Sequence, residues 1–251
     1  MGIDLRVNSP ENWAHFLINH LPLTFLLCRQ AGLRLVDVTL ILPAATPGYI
    51  QDAAALFDLQ VMLTDAAVTG LGIAFQLDNR NVLRPARREW VANSGVLDVL
   101  APAIARQPVG PTRIFLPRKD TRRLSNQPEI EALLTGCGYV TVYPETLDAA
   151  GQFALFHNAE EIVAVHGAGI APLLYRQPDS RLRRLVEILP CRHMTDVYRV
   201  MSAQTGSSWI GVRGRIKPEY VEPAYKLKTS FSRYSLDSFE VDPTALSRAV
   251  G

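Results

Sequence analysis

Glu161-Ile162-Val163-Ala164-Val165-His166-Gly167-Ala168-Gly169-Ile170-Ala171-Pro172 is the most informative segment of the chain. A short apolar, β-branched run is what a strand buried on both faces requires, and here it ends in a histidine. Two glycines spaced by one residue follow, then a helix-like continuation through Leu173, Leu174 and Tyr175. A buried parallel strand that delivers its carboxyl end into a glycine turn and a helix N-terminus makes an anion site. Free backbone N–H groups and the positive end of the helix dipole converge there, and glycine lets a phosphate approach the main chain.

A strand–helix alternation repeats on both sides of this segment. Arg113 to Leu116 reads as a strand, and Asn126-Gln127-Pro128-Glu129 opens a helix. Asn126 suits an N-cap, with Glu129 three residues on and proline tolerated in the first turn. Gly136-Cys137-Gly138 stops that helix. Tyr139 to Tyr143 is a strand and Leu147 to Asn158 a helix. After the glycine turn come strand Leu185 to Leu189, helix Thr195 to Gln204 and strand Ser208 to Val212. Strand–helix alternation at this spacing predicts an α/β fold, a parallel sheet with helices on both faces. Ligands of such sheets sit at the carboxyl ends of the strands, where Arg118, His166 and Gly167 fall. Glu187 lies within its strand, near the end.

The N-terminal half is less regular. Asn12 to Gln30 has helical spacing, and Pro22 should kink it or split it in two. Val38 to Leu42 and Gln60 to Leu63 read as strands, with Gly48 to Phe57 a helix between them. Gly70 to Asn81 is ambiguous, compatible with a strand pair. Ser94 can cap a helix through Ile104. Arg106-Gln107-Pro108-Val109-Gly110-Pro111 is the best domain boundary. The tail from Lys217 is irregular until Asp242-Pro243, which can start a terminal helix.

With 251 residues, 48% hydrophobic and 20% charged, the chain can bury a substantial core. A net charge of +2 is too small to imply nucleic acid. The arginine clusters Arg84/Arg87/Arg88, Arg118/Lys119/Arg122/Arg123 and Arg181/Arg183/Arg184 read first as solvated loops. Cys28, Cys137 and Cys191 are far apart and odd in number, which argues against a disulfide framework or a zinc site and fits a reducing cytosol. No signal peptide is legible, and Leu21 to Leu27 is too short to span a bilayer. The expectation is a cytoplasmic protein, with work at the inner face of a membrane left open.

Several of these residues line up in one order: Arg113-Ile114-Phe115-Leu116-Pro117-Arg118, the basic loop through Arg122 and Arg123, and Asn126 before a helix. Then come Ala159 to Gly169 and Leu185-Val186-Glu187-Ile188. Near the N-terminus stands Asn12-Trp13-Ala14-His15-Phe16-Leu17 with Leu21-Pro22, and near the end Phe239-Glu240-Val241-Asp242. This resembles the glycosyltransferase family 61 domain, known for transfer of sugars to polysaccharides and glycoproteins. The resemblance implies a GT-B arrangement, two Rossmann-like halves facing a cleft. Residues 1–107 would be the acceptor side, 112–215 the nucleotide-sugar domain and 216–251 a tail with its helix. It implies inverting, metal-independent transfer with no cofactor, from a nucleotide sugar to a glycan acceptor in polysaccharide or capsule synthesis. Two departures stand out. Gln177 to Arg184 is longer and more basic than the family's short turn, and the chain is compact.

Donor contacts then fall to Arg118, Arg122, Asn126, His166, Gly167, Ala168, Gly169 and Glu187. Arg118, a planar and always-charged donor, would stabilise the leaving diphosphate. For His166 a hydrogen-bonded core role competes with a ligand role, and for Glu187 an arginine partner competes with a ribose. Asn126 has a ligand role only by the resemblance. His15, or else His20, could act as general base. No DxD-type pair or His/Cys cluster suggests a metal. Alternatives are a nucleotide-sugar epimerase or a non-catalytic binding or scaffold protein. A dinucleotide oxidoreductase ranks lower, because no G-x-G-x-x-G follows a strand.

Overall fold

The computed structural model describes residues 1–68, 75–76, 87–216 and 234–251. The ambiguous stretch from Gly70 falls mostly outside these residues, as do Arg84 and the tail from Lys217. Two compact units emerge, each drawn from several chain segments. One comprises Met1–Val109, Glu145–His157 and Ala168–Ser180, the other Gly110–Pro144, Asn158–Gly167 and Arg181–Gly251.

The first unit is built on a parallel sheet of β1 (Gly2–Asp4), β2 (Thr39–Leu42), β3 (Gln60–Leu63) and β4 (Phe75–Gln76), ordered β3-β2-β1-β4. Helix α1 (Trp13–His15) runs through a π turn, Phe16–His20, into α2 (Leu21–Ala31). Pro22 accounts for the division. It lies in the first turn of α2 and has no N–H, so the ladder shifts register, with the Leu21 N–H reaching back to the Phe16 carbonyl. The Leu17 carbonyl, five residues before Pro22, accepts instead from the Tyr175 hydroxyl at 2.7 Å. Around this point Phe25, Phe57, Phe153 and Tyr175 form a chain of ring contacts at 5.1–6.1 Å. Helix α3 (Gly48–Leu56) follows β2 as expected. Helix α4 (Arg87–Ser94) precedes α5 (Val96–Ala105), whose Val96 N–H is accepted by the Ser94 hydroxyl at 3.2 Å.

The second unit carries β5 (Arg113–Leu116), α6 (Gln127–Gly136), β6 (Val140–Thr141), β7 (Glu161–Val165), β8 (Arg184–Leu189), α8 (Val197–Gln204), β9 (Ser208–Arg213) and α9 (Pro243–Val250). The crossover helices that enter and leave β7, α7 (Ala149–Asn158) and a 3-10 helix (Ala168–Tyr175), are compact with the first unit. All five strands are parallel, in the order β6-β5-β7-β8-β9. The edge strand β6 is shorter than the Tyr139–Tyr143 run suggested.

Helices cover both faces of this sheet. Phe115, Val163, Val165, Val186, Ile188 and Val212 turn to one face and pack with Ile130 and Leu134 of α6 and Leu246 and Ala249 of α9. Each such burial stabilises by roughly 1.5–3 kcal/mol. Alternate residues point to the opposite face, toward α8, and among them are His166 and Glu187. At the amino end of the sheet, Glu161 accepts from Arg183, Arg184 and the Tyr139 hydroxyl at 2.5–2.7 Å. Burial and the Glu161 carboxylate push the Tyr139 hydroxyl up to about 12. Arg183, exposed as expected, and the partly buried Arg184 are therefore also ion-pair partners of a buried carboxylate.

Candidate functional site

Counted within its own unit, the sheet order is 2-1-3-4-5, so the chain leaves β5 for one side and later returns on the other. Crossovers diverge at such a point, and the crevice opens between the carboxyl ends of the first and third strands. Those ends are Pro117-Arg118 after β5 and His166-Gly167 after β7, with Leu116 and Ala164 paired in register just below.

Arg118 is held by its own loop. Its Nε donates to the Thr121 carbonyl at 2.7 Å and its Nη2 to the Thr121 hydroxyl at 3.0 Å. The guanidinium then lies against Gly167, where a Cβ would fall on Nη1. Gly167 is glycine because the arginine occupies the space of a side chain, a physical reason for that residue in the motif. Arg122 takes up a left-handed backbone, φ 59°, and its Nε donates to the Ser235 carbonyl at 2.8 Å. Burial and the neighbouring Arg118 charge lower its pKa. These bonds position the guanidinium groups of Arg118 and Arg122 in the loop after β5.

Behind them lies a buried polar cluster. His166 Nδ1 is 2.5 Å from Glu187 Oε1, and Glu187 Oε2 accepts from Trp209 Nε1 at 2.7 Å. Glu187 is 0% exposed and His166 4%. The cost of a carboxylate in an apolar strand is offset by these two donors, neither of them an arginine or a ribose. Glu187 is paired in register with Gly211, and a Cβ there would strike the Trp209 ring. The glycine lets the indole fold across β9 to the carboxylate. The His193 ring lies 4.7 Å from that of His166, tilted by 54°, and burial with the Arg122 and His166 charges lowers its pKa to about 4. Tyr198 of α8 closes the cluster, its hydroxyl donating to the Gly167 carbonyl at 2.7 Å. Sequence reading missed Tyr198, Trp209 and His193. For Trp209 the signal was the Trp-x-Gly spacing on one strand face.

On the other side of Arg118 is an open pocket of about 440 Å³. Lys119, Arg123, Ser125, Gln127 and Tyr143 contribute to its walls with the first turn of α6. Lys119 stands 4.5 Å over the Tyr143 ring. Asn126 occupies the helix N-cap position but makes no capping bond, which corrects the expectation from the Asn-x-x-Glu spacing. Its carboxamide is drawn away by a competing main chain, donating to the Val241 carbonyl at 2.9 Å and accepting from the Val241 N–H at 3.3 Å. It also donates to Glu129. Ala168 and Gly169 open the 3-10 helix and are partly exposed.

His15 belongs to the first unit. It is exposed on α1, after the carboxyl end of β1, and its Nδ1 lies 2.9 Å from the Asn8 carbonyl. That contact requires a proton on Nδ1 and leaves the Nε2 lone pair available in the neutral ring. His20, fully buried, has its pKa lowered to about 4, chiefly by burial. Among the described residues no helix is long and apolar enough to cross a membrane.

Residues 13–182 match the family model described as Glycosyltransferase 61, a span that includes α1, the Arg118 loop and the Gly167 turn. No curated protein matches the chain. The chain belongs to glycosyltransferase family 61.

Proposed function

We propose that this glycosyltransferase is an inverting enzyme that takes a sugar from a nucleoside diphosphate donor and attaches it to a glycan hydroxyl. The observation that carries the reading is the meeting of Arg118 and Gly167 at the switch point of the second sheet, with Arg122 close enough to be perturbed by the Arg118 charge. Two arginines and the turn at Ala168 and Gly169, partly exposed at a strand end, suit a diphosphate. The neighbouring pocket, with the Tyr143 ring in its wall, would receive the nucleoside.

In the reaction the acceptor oxygen bonds to the anomeric carbon as the bond from that carbon to the diphosphate breaks. The bonding pair leaves with the diphosphate, whose growing charge Arg118, Arg122 and the amides after Gly167 stabilise. His15 Nε2 takes the acceptor proton, a role supported by the tautomer that the Asn8 carbonyl imposes. Arginine supplies the counter-charge, so the scheme needs no metal. Glu187 acts behind His166 rather than on the ribose. Each unit carries its own parallel sheet, as a GT-B division requires, and the wider reading is polysaccharide synthesis in the cytoplasm at the inner membrane face.

Calorimetric titration with UDP, GDP, CDP and dTDP and their sugars, with and without Arg118→Ala, tests this. Saturable binding of one diphosphate, lost in the variant, supports it. Binding to none by folded protein contradicts it. Donor turnover without acceptor would favour an epimerase, and binding without transfer a scaffold.

A further inference from the structure

The hydroxyl of Tyr198 has a use that packing does not explain. The ring is buried on α8, 3% exposed and 5.5 Å from the His166 ring. Phenylalanine would fill the same space without a polar group to satisfy. Instead the buried hydroxyl donates to the Gly167 carbonyl at 2.7 Å. Carbonyl and N–H of one trans peptide point in opposite directions across a rigid plane. With its carbonyl fixed toward α8, the Gly167–Ala168 peptide must send the Ala168 N–H the other way. That N–H is the first of the 3-10 helix, where the helix itself supplies no acceptor, and Ala168 is partly exposed. Arg118 Nη1 fills the open face of the Gly167 Cα, so the peptide and the guanidinium are held side by side.

We propose that Tyr198 is a positioning residue, which by holding the Gly167 carbonyl aims the Ala168 N–H at the diphosphate bound by Arg118. This rests on the donor reading above. Tyr198 touches no ligand itself and acts through one peptide plane. Glu187, itself held by the Trp209 indole N–H, holds the preceding residue, His166, so both residues at the strand end are fixed from behind before an anion arrives. Preorganised donors of this kind spend no ligand affinity on ordering themselves.

The test compares wild type with Tyr198→Phe, titrating each by calorimetry with the nucleoside diphosphate that wild type binds and with its parent nucleoside. Losing the hydroxyl should weaken the diphosphate about tenfold and leave the nucleoside unchanged within about twofold. Equal losses for both ligands would mean a merely structural tyrosine, and no loss for either would mean an idle one. Either result overturns the proposal while leaving the donor reading intact. A second measurement needs no variant. In wild-type protein the Ala168 amide resonance should shift on titration with inorganic pyrophosphate, and a resonance that stays in place contradicts the proposal. If wild type binds neither a diphosphate nor pyrophosphate, the donor reading fails and takes this inference with it.

Discussion

His166 Nδ1 and Glu187 Oε1 stand 2.5 Å apart, one at the carboxyl end of β7 and the other fully buried on β8. The pair ties the residue before Gly167 to the next strand, with Trp209 holding the second carboxylate oxygen. Glu187→Ala should destabilise the protein by about 2–4 kcal/mol, since it leaves two buried donors without an acceptor. Urea denaturation measures this. Glu187→Gln keeps the volume and an acceptor oxygen. At a temperature where it is folded, it should bind the nucleoside diphosphate within about threefold of wild type. A loss of a hundredfold with stability intact would place Glu187 on the ligand instead.

Gly167→Ala separates space from conformation. The backbone there is not left-handed, so alanine meets no dihedral strain, yet its Cβ falls on the Arg118 guanidinium. The side chain of Arg118 can give way at its far end, so the cost to stability should be about 1–2 kcal/mol, as in other overpacked sites. Donor affinity should fall as far as it does in Arg118→Ala, because the guanidinium leaves Thr121. Calorimetry showing normal affinity in Gly167→Ala would contradict the Arg118–Gly167 contact.

Two histidines set an acid limit. His20 and His193 are both lowered to about 4, the first mainly by burial and the second by burial with the Arg122 and His166 charges. Between the unfolded value near 6.5 and the folded value, the unfolded chain binds more protons. Stability from these groups is therefore complete above about pH 6.5 and is lost as pH falls toward 4. His20 accounts for up to about 3 kcal/mol, and the more solvated His193 for less. Urea midpoints should drop between pH 7 and pH 5, with a shallower slope in His20→Leu. An unchanged slope in that variant would remove His20 from the account.

The parallel strands of the second sheet were legible because apolar, β-branched runs such as Ile162–Val165 and Leu185–Leu189 have few other uses. Arg118, His166 and Gly167 followed from position alone, since they stand where such strands end. Asn126 misled because an Asn-x-x-Glu pattern says nothing of the Val241 main chain, 115 residues away in sequence, that takes its side chain. Tyr198 lies 31 residues from Gly167, and no local pattern links them. Helix α4 was missed because Arg87–Ser94 is too polar to show an apolar face. The continuation after Gly169 formed a 3-10 helix, with Pro172 inside it.

The most direct measurement is calorimetric titration of wild type and Arg118→Ala with the panel of nucleoside diphosphates. One diphosphate should bind wild type saturably, and its affinity should fall by about a hundredfold or more in a variant that melts normally, a loss of about 3 kcal/mol from a charge-assisted contact. Undiminished binding by the variant, or no binding by folded wild type, would contradict a donor site built on Arg118 and Gly167.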